Sequence, residues 1–350
     1  MNNIILDCER MKYPNTGLYH YCYQLAIAIE KNLNKENEQL TIFTPPNAIE
    51  KFNENFNFIK QHSFQKFYLP IPTKYSVWHC TYQGTNYLPS IKKKPIVLTV
   101  HDLNFLYDEN KSQAKQKKYL DKLKRKVDAA SVIVAISNYV LQDLKKHINI
   151  SGKTTSVIYN GCNINTSVSI STKQLHSKPF LFTIGTIAEK KNFHVLPRLL
   201  VKNNFDLVIA GIVQDEAYKQ KIIAEAKLYG VENRLFFTNA ISEEEKYWYL
   251  QNCTAFVFPS IAEGFGLPVV EAMHFGKPLI LSKHTSLPEI GGNVSYYFNS
   301  FEAEQMQQTL KESLENYFSN NAATKIKERA LLFSWKKAAE QYINIYRSLY

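Results

Sequence analysis

Short apolar runs rich in β-branched residues alternate with longer helical patterns along this chain, and few folds accommodate that alternation. In the first half the runs are Ile4–Leu6, Leu40–Phe43, Val77–Cys80, Ile96–Val100, Ser131–Ala135 and Ser156–Tyr159, with helical patterns over Leu18–Lys31 and Asn138–His147. A second series follows at Phe180–Ile184, Asp206–Ala210, Leu235–Phe237, Ala255–Phe258, Pro278–Leu281 and Ser295–Phe298. Apolar strands separated by helices pair in parallel, so each series predicts a doubly wound α/β domain. The 350 residues suffice for two such domains. Between the series, Asn163–Lys173 has many Ser and Thr residues and no periodicity, as in a linker. The expected bounds are 1–165, a linker at 166–177, and 178–335. Ligands of such domains bind outside the carboxyl ends of the strands, here in a cleft between the two.

Composition narrows the class. Hydrophobic content of 45% against 21% charged residues is that of a globular chain. No apolar run approaches the ~20 residues of a spanning helix. The start, Met1-Asn-Asn-Ile-Ile-Leu-Asp7, reads as a strand and lacks the basic start and long apolar core of a signal peptide. The five cysteines, Cys8, Cys22, Cys80, Cys162 and Cys253, are scattered without a C-x-x-C pair, which argues for reduced thiols and against structural zinc. A cytoplasmic location is expected, with peripheral attachment to the inner face of the membrane.

Residues 1–170 hold 22 Lys/Arg against 13 Asp/Glu, nine of the eleven net positive charges. Much of the excess lies in Lys111–Lys126, where Tyr119, Leu120, Leu123 and then Val127 interrupt the basic residues at helical spacing. Such a helix suits an anionic membrane surface, and it equally suits a solvated helix face. No zinc-finger spacing or basic-aromatic RNA motif accompanies it, so nucleic acid is not expected as a partner.

Four segments carry chemistry. In Pro259-Ser-Ile-Ala-Glu-Gly-Phe-Gly-Leu-Pro-Val-Val-Glu-Ala-Met273 a strand ends at the proline, and a helix begins near Leu267. Glu263 falls in the turn and Glu271 about one turn into the helix. Gly264 and Gly266 leave backbone amides uncovered beside a positive helix end, which together form an anion site. A tight turn with two surface acids is the plain reading. Phe182-Thr-Ile-Gly-Thr-Ile-Ala-Glu-Lys-Lys-Asn192 runs a strand into Gly185 and sets Lys190 and Lys191 before a helix near Asn192. Fixed cations there would stabilise a leaving diphosphate, each such group typically being worth ~3–4 kcal/mol. Two surface lysines at a helix start would oppose the helix dipole. Ile96-Val-Leu-Thr-Val-His-Asp-Leu-Asn104 is a strand breaking into His101, Asp102 and Asn104 at its carboxyl end. Asp7–Thr16 links the first strand to a helix near Gly17; Thr16 could cap it, and Gly17 lets a ligand approach the backbone.

Taken together, these strings resemble the retaining nucleotide-sugar glycosyltransferases of family four, over nearly the whole chain. The resemblance implies the GT-B fold, two Rossmann-like domains facing across a cleft, with a terminal helix at about 336–350 crossing back onto the first. It implies that Phe265, Gly266 and Leu267, with Gly264, offer amides to the donor's sugar and phosphate. Glu271 would accept from ribose hydroxyls. Glu263 would bind sugar hydroxyls and face the charge that develops at the anomeric carbon. Lys191 matches the family's diphosphate lysine, and Lys190 stands where a subgroup has arginine; Thr186 replaces an arginine common after Gly185. His101 corresponds to the histidine near the transferring sugar. Asp102 would orient His101, assist loss of the acceptor proton or cap the next helix, and with Asn104 it lies in the acceptor region. The glycine-rich loop of the family is reduced here to Gly17. Arg234–Ile241 matches the base-binding strand and turn, with Asn239 in place of a common glycine; Ser137 and Asn160-Gly161 fall at recurrent structural positions.

The expected partners are a nucleotide-sugar donor, GDP-mannose first, and a glycan or glycolipid acceptor of surface polysaccharide or lipopolysaccharide biosynthesis. No cofactor is expected. There is no Asp-x-Asp pair, and family chemistry is metal-independent, lysines and amides replacing the cation. Two rivals stand beside this reading. One is a nucleotide-sugar epimerase or phosphorylase on the same fold, although the phosphorylase's pyridoxal-phosphate lysine motif is missing. The other is a basic membrane- or nucleic-acid-binding protein with a relic donor site.

Overall fold

The computed structural model describes residues 1–14, 16–52, 56–67, 69, 75–89, 94–108, 111–164, 174–319 and 321–350. Most of the expected linker at 166–177 lies outside them. The chain divides into two compact units, Met1–Gly161 with Phe333–Tyr350, and Cys162–Leu332.

The first unit holds a seven-stranded sheet of β1 (Asn2–Asp7), β2 (Glu38–Thr44), β3 (Asn57–Lys60), β4 (Val77–Cys80), β5 (Ile96–Val100), β6 (Val132–Ala135) and β7 (Thr154–Val157). Their order is β3-β2-β1-β4-β5-β6-β7, and every pairing is parallel. Strands β4 and β5 are buried at every position, as a sheet covered on both faces requires. The helices are α1 (Gly17–Asn32), α2 (Gln113–Ala129) and α3 (Asn138–His147). Ser137 caps α3 by accepting from Val140 N at 3.2 Å.

The second unit carries β8 (Phe180–Ile184), β9 (Asp206–Ala210), β10 (Leu235–Asn239), β11 (Ala255–Phe258), β12 (Leu279–Ser282) and β13 (Tyr296–Phe298). These strands are also all parallel, in the order β10-β9-β8-β11-β12-β13. Its helices are α4 (Glu216–Leu228), α5 (Glu243–Asn252), α6 (Leu267–His274), α7 (Leu287–Gly291), α8 (Ala303–Ser319) and α9 (Ala322–Ala330). In each sheet the strand order reverses once, at β1/β4 and at β8/β11. Such reversals open a crevice at the carboxyl edge, where α/β sheets bind ligands.

The terminal helix α10 (Trp335–Arg347) belongs to the first unit and packs on α1. Its Trp335, Tyr342, Ile343 and Tyr346 enter the core formed by β1, β2 and α1. Two polar residues of buried strands explain the tyrosines. His79 Nδ1 meets Tyr346 Oη at 2.7 Å and His79 Nε2 meets Thr99 Oγ1 at 2.8 Å, while Tyr342 Oη lies 2.9 Å from Thr99 and 2.8 Å from Tyr21 Oη. Burial holds His79 neutral, lowering its pKa to about 3. At the rim Arg347 donates twice to Glu38, at 2.7 Å each, and these bonds lower the acid's pKa to about 2. Gly161 lies so close to the start of α10 that a Cβ there would fall 2.2 Å from Trp335 N.

Three local expectations change. Strand β3 is an extra edge strand whose short, polar-ended Asn57–Lys60 gave no pattern to read, and β7, expected at Ser156–Tyr159, begins two residues earlier. The helix expected near Asn192 is a 3-10 segment, Phe193–Leu200, because Pro197 inside it lacks an N–H and disfavours the α form.

Candidate functional site

At the β8/β11 reversal, β8 is followed by Gly185, whose N–H donates to Ala210 O at 2.9 Å. Its neighbour Gly211 has φ +141°, and a Cβ there would strike Gly185 O at 1.9 Å, so the two backbones meet only without side chains. Lys191 closes a 3-10 turn, Glu189–Lys191, that stops at Asn192 in the left-handed region, φ 56°, a conformation asparagine tolerates.

The turn after β11 closes against it. Lys191 Nζ lies 2.5 Å from Glu263 Oε1 and 5.0 Å from the centre of the Phe258 ring. Ser260 Oγ lies 2.7 Å from the same carboxylate oxygen and 3.1 Å from Lys190 O, to which Ile261 N also donates at 3.0 Å. Lys190 therefore acts here through its carbonyl; its side chain is exposed and outside the Lys191–Glu263 pair.

A third loop, after β12, supports the second. Glu263 N donates to Thr285 Oγ1 at 3.1 Å, and buried Ser286 Oγ lies 3.1 Å from Glu263 O and 3.0 Å from Phe265 O. Thr285 sits at φ 56°, unusual for a β-branched residue, and such strain costs about 1–3 kcal/mol and clusters at functional sites. Phe265 is buried. Gly266, at φ +95°, opens α6 at Leu267, and a Cβ on it would meet Leu287 at 2.8 Å.

Glu271, one turn into α6, pairs with Lys246 of α5 at 2.7 Å, and both side chains are largely buried. Burial pulls the Lys246 pKa down, but Glu271 more than offsets it and the net shift is upward. Cys162 lies alongside, its thiol pushed up by burial and by the Glu271 charge. Each acid of the motif thus has its own lysine, 191 and 246. Asn239, where the family resemblance suggested glycine, has φ 58° and accepts from Gly211 N at 2.8 Å; asparagine fills the left-handed position without a glycine.

In the first unit His101 is buried at the carboxyl end of β5. Its Nε2 lies 2.7 Å from Thr81 O, so this nitrogen carries the proton, and burial lowers the pKa to about 4. The Tyr21 ring packs edge-on at 4.5 Å. Gln83 straddles the loop: it accepts from His101 N at 3.0 Å, donates to Asp102 O at 2.8 Å, and its own carbonyl accepts from Lys126 Nζ at 2.9 Å. Asp102 Oδ1 accepts from Asn104 N at 3.0 Å, an Asx turn leading into the 3-10 segment Asn104–Leu106. Thr16 caps α1 at Tyr19 N, and the space beside Gly17 is open, with nothing within 4 Å of a Cβ built there.

Several residues here left no readable signal. Asp7, wholly buried at the end of β1, accepts from Thr85 Oγ1 at 2.6 Å and Glu9 N at 3.0 Å; burial and then the Glu9 charge raise its pKa to about 8. Arg10 lies 4.7 Å from the Tyr13 ring centre and 4.9 Å from that of Tyr82. Lys126, expected on the solvated basic face, is buried because it turns inward to Gln83. The polar ridge of α2 is instead Lys115, Lys118, Lys122 and Arg125, all exposed. Among the described residues no group of three or more His, Cys, Asp or Glu is placed to hold a metal ion, and no helix is long and apolar enough to cross a membrane.

Two parallel-sheet Rossmann-like units, with lysines, acids and glycines at the carboxyl edge of the second, define the GT-B class of α/β folds. Residues 169–332 match the family described as glycosyl transferases group 1, and residues 29–166 match glycosyltransferase family 4. The chain belongs to these glycosyltransferases. It is 23% identical to O-antigen chain mannosyltransferase B of Escherichia coli over 99% of this chain and 100% of that protein. It is 29% identical to the serotype-specific mannosyltransferase WbdA of Escherichia coli over 65% of this chain, though over only 30% of that longer protein. Among solved structures, sucrose-phosphate synthase from Thermosynechococcus elongatus superposes with a TM-score of 0.76 at 18% identity, covering 100% of this chain and 99% of that one. HepE from Anabaena, solved with UDP and glucose, gives 0.71 at 19% identity and covers 100% of both chains.

Proposed function

We propose that the protein is a retaining, metal-independent hexosyltransferase that moves mannose from a nucleoside-diphosphate sugar to a hydroxyl of a surface polysaccharide or glycolipid. The observation that carries this reading is the joining of Lys191, Glu263 and Ser260 where the strand order reverses. A cation beside an acid at such a crevice suits a substrate that is anionic at its leaving group and becomes cationic at its anomeric carbon. Glu263 would face the sugar, Lys191 the diphosphate and Glu271 the ribose. Gly185, Gly266 and Leu267 would let the donor approach the backbone. His101 would meet the transferring sugar, Gly17 would let the donor approach the backbone, and Asp102 and Asn104 would serve the acceptor region; neutral His101 suits hydrogen bonding to a sugar. The similarity to O-antigen mannosyltransferases supports mannose and a polysaccharide acceptor, and the basic ridge of α2 supports attachment to an anionic membrane from the cytoplasmic side.

A panel of nucleoside diphosphates and nucleotide sugars in EDTA tests the donor by thermal shift, followed by transfer of labelled sugar. GDP-mannose is expected to stabilise the chain by mass action and to be turned over with retention of anomeric configuration. Lys191→Ala, Glu263→Ala and Glu271→Ala should each lower kcat/KM at least a hundredfold, ~2.7 kcal/mol of barrier. Full turnover in both Lys191→Ala and Glu271→Ala would refute the site, and conversion of the donor without acceptor would favour an epimerase.

A further inference from the structure

Strand β3 leaves the sheet at Lys60 and passes into one tight 3-10 turn, Ser63–Lys66. The turn is held from both ends. His62 N donates to Gln65 Oε1 at 2.6 Å, Gln65 N donates to His62 O at 3.1 Å, and Gln65 is buried. Gln61 ties the approach to the sheet, its N–H donating to Thr44 O at 2.9 Å and its side chain to Tyr87 Oη at 2.5 Å. Phe67 closes the turn, its N–H donating to Phe64 O at 3.0 Å, which sets it one 3-10 repeat beyond Phe64 and on the same side. They are 59% and 93% exposed. A pair of exposed phenylalanines on an ordered turn calls for a partner. Lys60 and Lys66 flank them, both exposed, and residues 57–67 contain no acid.

We propose that this turn is a membrane-inserting contact of the first unit, its two phenylalanines entering the interfacial layer of an anionic bilayer while Lys60 and Lys66 meet headgroup phosphates. A second copy of the chain fits poorly, because a two-fold contact through this patch would set the lysines against each other. The turn is already ordered, so insertion does not have to order it. It lies at the same carboxyl edge as His101, and β3 stands four strand spacings from β5, about 19 Å. A lipid-linked acceptor held in a bilayer at the turn would present its sugars toward the His101 loop. In this respect the inference rests on the acceptor proposed above.

Phe67→Trp provides the test. The three native tryptophans are buried and remain out of reach of quenchers in a bilayer. With phosphatidylcholine–phosphatidylglycerol vesicles, the added indole should shift to the blue and be quenched by brominated acyl chains; pure phosphatidylcholine should give a weaker effect. Phe64→Ser with Phe67→Ser should reduce vesicle partitioning about tenfold or more, roughly the burial of one phenylalanine, and leave transfer to a water-soluble acceptor unchanged. Lys60→Ser with Lys66→Ser should remove much of the salt dependence. Absence of quenching in anionic vesicles, or wild-type partitioning by the double serine variant, would overturn the proposal. So would a dimer of the wild-type chain that the double serine variant abolishes, since that would assign the patch to a second copy. Failure of the transferase reading would look different: no transfer to any soluble acceptor, with quenching intact.

Discussion

Two lysines decide what the two acids of the 259–273 motif can do. Lys191 lies against Glu263 and Lys246 against Glu271, both pairs largely removed from solvent. Taking one partner from such a pair leaves a poorly solvated charge, a loss of about 3–5 kcal/mol. Lys246 bonds one oxygen of Glu271; in the proposed function the other would meet a ribose hydroxyl. Lys246→Met is therefore expected to raise the donor KM about tenfold with little change in kcat, while Lys246→Arg keeps the wild-type value. Steady-state kinetics over a donor range checks this, and an unchanged KM in the methionine variant would make the pair purely structural.

The element that matters most in the first unit is α2, for reasons its composition hides. Its exposed ridge is basic, but its last turn sends Lys126 inward to the carbonyl of Gln83, which holds both His101 and Asp102. One hydrogen bond thus ties the helix to the strand-end loop. Lys126→Met should lower acceptor transfer about tenfold, ~1.4 kcal/mol of barrier. Donor stabilisation in a thermal shift should stay as in the wild type, because Lys126 and the donor residues Lys191, Glu263 and Glu271 belong to separate compact units. A fall in donor binding equal to the fall in transfer would contradict this role.

Three buried groups of the first unit pull its pH response in opposite directions. His79 and His101 have pKa values lowered to about 3 and about 4 by burial, so acid protonates them in the unfolded chain first. Stability conferred by their neutral forms is lost as pH falls below ~6.5. Asp7 acts in the opposite sense. Its folded pKa of about 8 lies above the unfolded value, so stability falls as pH rises from ~4 toward 8. From these three groups alone, the unfolded state holds one more proton between pH 4 and 6.5 and one fewer above 6.5. Stability should peak near pH 6.5, with slopes of ~1.4 kcal/mol per pH unit on either side. Hydrogen exchange of β1 and β4 amides across pH 5–8 would record it, and Asp7→Asn should flatten the alkaline side.

How much of this was legible in the chain depends on the range of the forces involved. Strand and helix periodicity follows from burial on one or both faces, so the sheets, helices α1 and α3, and the Gly264–Glu271 turn could be read locally. The positions of Glu263, Lys191 and His101 after strand ends, and of Glu271 one turn into α6, followed from the same pattern. The pairing of Lys246 with Glu271 was not legible, because those residues stand on separate helices and meet only once both pack on the sheet. Asp7, Gln83 and Lys126 escaped for the same reason: each is polar in an apolar setting, and only the folded neighbours supply its partner. Edge strand β3 was too short to show a period, and with it went the turn bearing Phe64 and Phe67. By itself the sequence determined two parallel α/β units and which residues follow their strand ends, since local patterning dictates which residues are buried. Tertiary structure decided which charge faces which and which aromatic residues stay in water, because those depend on contacts between elements far apart in the chain.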